Sequence, residues 1–262
     1  MPGGAGRPGS SVPGYSCQNS GATLFHGRRP YAGDGKSAFL PGSSLGRGVL
    51  PAVLRALHDA AGPDVWKQAG GLPETYFTAW GSLLEGLKLC EEDTLLVRGG
   101  TCSLGYAAIR LAKAMGCRVI ATTHKESKLP LLKEADRAVL DTGRLAGSFS
   151  GVTKALELVG PGTLRDTLRC VKKNGIVCCT GILGGVYTLN DFDPIKEIPG
   201  GVYLTGFFSN YPDQRTMKDI FSFIGSHQMQ PDIGALYRFD NISEALSDMD
   251  HHKVDGKIVV TV

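Results

Sequence analysis

The stretch LLVRGGTCSLGYAAIRLAKAMGCRVIATT, residues 95–123, reads as strand, glycine turn, helix and second strand in unbroken succession. Leu95-Leu96-Val97 is a short apolar run of the kind buried in a parallel sheet. Gly99, Gly100 and Gly105 surround a turn that opens a helix. The first N–H groups of that helix lack partners within it and can face an anion such as a pyrophosphate. Ala108, Ile109, Leu111, Ala112 and Met115 follow at helical spacing, Gly116 marks the helix end, and Arg118-Val119-Ile120-Ala121 resumes a strand. This order predicts a doubly wound α/β fold on a parallel sheet, with a phosphate-bearing cofactor at the turn.

Read as G-x-G-x-x-G, the turn is Gly100-Thr101-Cys102-Ser103-Leu104-Gly105, with Cys102 in the middle glycine position. A degenerate motif alone is weak, and a glycine turn used only for packing is the alternative; the flanking strand and helix favour a cofactor. The second strand runs out in Thr123-His124-Lys125-Glu126-Ser127-Lys128, with no acidic residue at its tip to hold a ribose 2′-OH. That absence points to NADP(H). His124, Lys125, Ser127 and Lys128 could bond a 2′-phosphate, the alternative being an ordinary solvated basic helix start.

Three later apolar runs also stop at small or glycine-rich loops. Leu156-Glu157-Leu158-Val159 stops at Gly160, Ile176-Val177-Cys178-Cys179 stops at Thr180-Gly181 before Ile182 and Leu183, and Val202-Tyr203-Leu204 leads to Phe207-Phe208. In open parallel sheets ligands sit outside the carboxyl ends of the strands, so these loops are expected to converge on a nicotinamide and its ribose.

LPETYFTAWGSL, the 95–117 stretch, LELVGPGTLRDTLRCVKKNGIVCCTGILGG and the closing DGKIVVTV together resemble the medium-chain dehydrogenase/reductase superfamily. Within it they are most similar to the zinc-free quinone oxidoreductase group, over about residues 72–262. The resemblance implies a Rossmann-type NADPH-binding domain. It also implies a GroES-like substrate domain placed before that domain and rejoined by the chain's C-terminus. It places Tyr76 and Thr78 near the nicotinamide side of the cleft as candidate catalytic groups, packing and helix capping being the alternative for both. It implies as well a homodimer formed through the nucleotide domain. The chain departs from the family pattern in three places: no GroES-like domain is recognisable before residue 72, the link from Asp141 to Lys154 is short and glycine-bearing, and a Leu-Gly-like helix end is absent near Glu134-Ala135.

Over 262 residues, 42% apolar content can fill a core, and a net charge of +3 gives no reason to expect a nucleic-acid partner. No apolar run approaches a membrane span and no secretory signal order is visible, so the expected location is cytoplasmic. Seven cysteines without a C-x-x-C pair argue against both a disulfide framework and a cysteine-rich zinc lobe, and His251-His252 diverge on a helix; no metal site is expected.

Residues 1–48 contain 12 glycines and 5 prolines with no periodicity, and the first glutamate and isoleucine of the chain are Glu74 and Ile109. Such composition cannot offset chain entropy by burial. Residues 1–70 are therefore expected to be a poorly ordered, low-complexity leader, a displaced reading frame or an artificial start, with one short helix near 48–58. Residues 71–235 would form the nucleotide domain and 236–262 the return to the substrate domain. Met217, Ile220, Phe221 and Ile224 predict one amphipathic helix, Ile242, Ala245, Leu246 and Met249 another, and Lys257-Ile258-Val259-Val260 a last strand left with an unpaired edge. The leading function is metal-free hydride transfer to a quinone or enone. The alternatives are an NADPH-binding module without turnover and an interaction protein with an empty cleft.

Overall fold

The computed structural model describes residues 65–209, 212–251 and 253–261. The expected helix near 48–58, most of the expected leader, and His252 lie outside them. Six strands, β1 Thr94–Arg98, β2 Arg118–Thr123, β3 Arg137–Leu140, β4 Lys154–Glu157, β5 Ile176–Cys179 and β6 Tyr203–Gly206, form one all-parallel sheet in the order β3-β2-β1-β4-β5-β6. That order reverses between β1 and β4, which opens a crevice at their carboxyl ends and makes the sheet the Rossmann-type doubly wound fold that the β1–β2 stretch predicts. Both central strands are buried on both faces, as helix-covered parallel strands must be: Leu95, Leu96, Val97, Ala155 and Leu156 are fully buried.

On one face lie α2 Pro73–Trp80, α3 Ser103–Ala114 and α6 Gln214–Ser226. Pro73 at the first turn of α2 is tolerated because its missing N–H would have had no partner there. Tyr76, Trp80, Leu83, Leu84 and Leu87 are buried, as are Met217, Ile220, Phe221 and Ile224, and Trp80 meets Phe223 edge-on with ring centroids 5.4 Å apart. After Trp80 the helix widens into a π turn, Gly81–Gly86. The opposite face carries α4 Pro161–Thr167 and the short α5 Pro194–Glu197.

Three features differ from expectation. Helix α1, Val65–Gly71, occupies the end of the stretch expected to be disordered and packs on the C-terminal strand, where a Cβ on Gly70 would lie 3.0 Å from Val259 Cγ1. That strand, β8 Lys257–Thr261, is not left unpaired: it runs parallel to β7 Ile233–Arg238, with α7 Ile242–Asp250 between them, a compact βαβ unit. β7 begins three residues before the expected division at 236. As expected of a short, glycine-bearing link, the 141–153 crossover holds no helix: Gly143, Gly147 and Gly151 all sit at φ between 82° and 87°, which breaks helical geometry.

Candidate functional site

The glycine turn is shaped by backbone contact. A Cβ on Gly105 would lie 2.5 Å from the Gly100 carbonyl oxygen, so only glycine lets α3 start this close to β1. Cys102 caps α3 in an extended conformation, its sulfur accepting from Gly105 N at 3.3 Å, and the first turn of α3 contains no acidic residue. Burial pushes the Cys102 thiol up, so the cap is neutral and adds no negative charge at the helix N-terminus. The Thr101 and Thr123 hydroxyls are 3.1 Å apart, and Lys125 N donates to Thr123 Oγ1 at 3.4 Å, which ties the turn to the tip of β2.

The other strand ends are laced onto this turn. Leu158 N donates to Arg98 O, Thr180 N to Glu157 O, Leu183 N to Leu158 O and Gly184 N to Val159 O, at 2.8–3.1 Å. A Cβ on Gly99 would lie 3.2 Å from Leu183 and 3.3 Å from Val159. Gly99, Val159, Gly160, Gly181, Ile182 and Leu183 thus form one cluster beside the turn, and Ile182 and Leu183 are exposed there. Phe207 packs its ring against Gly81 and meets Phe77 edge-on at 6.0 Å, whereas Phe208 is exposed.

The remaining expected residues are placed differently. His124, Lys125 and Ser127 are exposed at the end of β2, but Lys128 is drawn into an ion pair with Asp255 of the β7–β8 unit. The Tyr76 hydroxyl donates to Gln230 O at 3.4 Å, beside the Arg110–Asp232 pair, instead of joining the strand-end cluster, and burial raises its pKa. Thr78 is buried, with its hydroxyl on Glu74. Its carbonyl accepts from Ser82 Oγ at 2.7 Å, and Ser82 reaches Thr180 Oγ1 at 2.9 Å. Ser82, in the π turn that follows α2, thus joins this entry helix to the end of β5 by a hydrogen bond. Sequence reasoning missed it; the only signal is a polar residue between Gly81 and the apolar Leu83-Leu84.

Sequence reasoning also missed the charge cluster under the crevice. Arg98, the last residue of β1, is fully buried and makes a two-point contact with Asp141, Nε to Oδ2 at 2.7 Å and Nη2 to Oδ1 at 2.9 Å. Its Nη1 also bonds Asp166 Oδ2 at 2.7 Å and Thr167 Oγ1 at 2.9 Å. Glu157, buried at the end of β4, accepts Val159 N at 2.8 Å and Gly160 N at 2.9 Å, plus the Thr167 hydroxyl. Burial opposes ionisation of Asp141, but Arg98 and the Gly143 amide outweigh it and hold the carboxyl below its usual value. At Glu157 burial wins and the pKa is raised. Among the described residues no three His, Cys, Asp or Glu side chains gather as a metal site.

Residues 103–226 match the family model of the zinc-binding dehydrogenases, which spans α3 to α6. The chain is 24% identical to quinone oxidoreductase of Rattus norvegicus over 84% of its own length and 72% of the relative's. These matches make the chain similar to the medium-chain dehydrogenase/reductase superfamily. Quinone oxidoreductase-like protein 2 of Bos taurus is 22% identical over 75% of this chain. The chain spans 60% of that relative's length. The quinone oxidoreductase of Thermus thermophilus, solved also in complex with NADPH, superposes with a TM-score of 0.63 at 21% identity, over 75% of this chain and 66% of that one.

Proposed function

We propose that the chain binds NADP(H) and works as a metal-free reductase of a quinone or an enone. The observation that carries this reading is the turn itself: an acid-free helix N-terminus, closed by backbone contact at Gly105, with the ends of β4 and β5 laced beside it. Those features suit a pyrophosphate flanked by the Thr101 and Thr123 hydroxyls, with His124, Lys125 and Ser127 available to a 2′-phosphate. The name of the rat relative and the NADPH complex of the bacterial one support the same reading. Bound there, NADPH would supply the hydride that, with one solvent proton, reduces a quinone to a hydroquinone. The chain's own contribution is placement and exclusion of water by Val159, Ile182, Leu183 and Phe207. Tyr76 and Thr78 enter this reading as supports of the entry helix, Thr78 through its carbonyl.

A binding module without turnover is the second reading, favoured by the bare apolar face of α7, where Leu246 and Met249 are each more than half exposed. Titration with NADPH and, separately, NADH distinguishes the outcomes. At a hundredfold excess over Kd, binding stabilises by about 2.7 kcal/mol, a rise of about 5 to 10 °C in Tm. A rise with NADPH alone, followed by its oxidation with a simple naphthoquinone, is the expected result. Binding without oxidation leaves the module, and no response to either nucleotide removes the cofactor reading. Homodimerisation through the nucleotide domain is part of the proposal, read by light scattering of the same samples.

A further inference from the structure

Ser82 and Thr180 form a hydroxyl pair whose polarity is fixed by its surroundings. Ser82 is fully buried in the π turn, which meets the carboxyl end of β5 where Cys178 packs against Gly86. A hydroxyl carries one proton, and a carbonyl only accepts. The 2.7 Å contact from Ser82 Oγ to Thr78 O therefore uses the Ser82 proton. In the 2.9 Å contact between the two hydroxyls, Thr180 must then be the donor. The third partner, Cys178 Sγ, lies 3.4 Å from Thr180 Oγ1 and is left to donate; its burial pushes the thiol up and keeps it protonated. Thr180 has thus committed its only proton inward. It is half-buried next to Gly181, and the one lone pair it has left can only accept.

We infer that Thr180 recognises the amide N–H2 of the nicotinamide carboxamide, and that Ser82 is the positioning residue that makes Thr180 an acceptor. This rests on the NADP(H) reading above and sharpens it: the hydroxyl pair selects a pyridine ring bearing an amide donor over one bearing only an acceptor, and so fixes which way round the carboxamide lies. With a wrong-way carboxamide, its carbonyl oxygen would face an oxygen that has no proton to give.

The probes are NADPH and its reduced 3-acetylpyridine analogue, in which a methyl ketone replaces the amide. Each is titrated by fluorescence into the wild type, Thr180→Val and Ser82→Ala. The wild type is expected to prefer NADPH by about tenfold, the worth of one good hydrogen bond. Thr180→Val, nearly isosteric, should cut the preference to within about twofold by losing NADPH affinity. Ser82→Ala frees the Thr180 proton to point at the ketone, so its preference should collapse through a gain in analogue affinity, a change that general damage to the fold cannot produce. If the wild type binds NADPH and both variants keep its preference, the inference falls and the cofactor reading stands. If the wild type binds neither nucleotide, both fall. Should Ser82→Ala fail to fold, Thr180→Val decides alone: an unchanged preference overturns the inference, and a lost one sustains it.

Discussion

Cys102 shows how one atom tunes the turn. Serine is a stronger helix cap than a half-buried thiol, whereas an aspartate would cap as well but bring a charge to the place proposed for the pyrophosphate. Cys102→Ser should keep or slightly raise Tm and leave NADPH affinity within about twofold, since the cap costs only some tenths of a kcal/mol to exchange. Cys102→Asp should also stay folded yet lose NADPH affinity by about tenfold or more, because like charges a few ångströms apart repel by kcal/mol even at an effective dielectric near 20. Paired thermal melts and titrations check this; equal affinities in the two variants would show that phosphate does not sit on α3. The spacing of Gly100, Cys102 and Gly105 makes the turn readable in the sequence. It hides the work of Cys102 as a cap, because sulfur at the middle glycine position looks only like a defect.

At the scale of elements, the 141–153 crossover replaces a helix with side-chain anchors. Asp166 of α4 accepts from Leu145 N at 2.8 Å and Ala146 N at 3.2 Å, while Leu145 and Val152 are buried beneath. Arg98 clamps the start of the coil through Asp141 and Asp166. The folded pKa of Asp141 is depressed, so its contribution is fully present above the unfolded carboxyl value of 3.8 and is lost as pH falls through the lower folded value. Glu157 has the opposite sign, since its raised pKa makes protonation favour the folded state. Asp141→Asn should cost about 3 kcal/mol near neutrality, the scale of breaking a buried pair from one side, and should flatten the acid limb of stability. Urea unfolding from about pH 7 down to about pH 3 measures both; an unaltered acid limb would remove Asp141 from the account. Sequence periodicity shows strands and helices because they repeat. A cluster joining residues 98, 141, 157 and 166 has no period, and an arginine closing an apolar run reads simply as the end of a strand.

At the scale of the whole molecule, the β7–α7–β8 unit is tied to the sheet domain by Arg110–Asp232, Lys128–Asp255 and Lys257–Glu74. Only Ala245 of α7 is buried, and Ile242, Leu246, Met249 and Phe239 form an exposed apolar stripe. The amphipathic spacing of α7 is plain in the sequence, but spacing cannot say whether the stripe is covered. β7 was hidden because Ile233-Gly234-Ala235-Leu236-Tyr237-Arg238 has small residues and a glycine within the run. Leu246→Glu combined with Met249→Lys should change the stability of the folded chain by no more than about 0.5 kcal/mol, since both are surface sites. The same pair should reduce self-association in light scattering at high concentration, as expected for a large bare patch; association unchanged by the pair would place the sticky surface elsewhere.

Arg98 also governs how this molecule can come apart. Its guanidinium is held at once by the end of β3 and by α4, and it stands at the end of β1 beside β4, segments far apart along the chain. None of them can peel away without leaving a buried charge bare, so the crevice has no easy partial opening. The coil over it, which has no regular structure of its own, is expected to share the fate of the central strands and be among the last parts of the protein to let go.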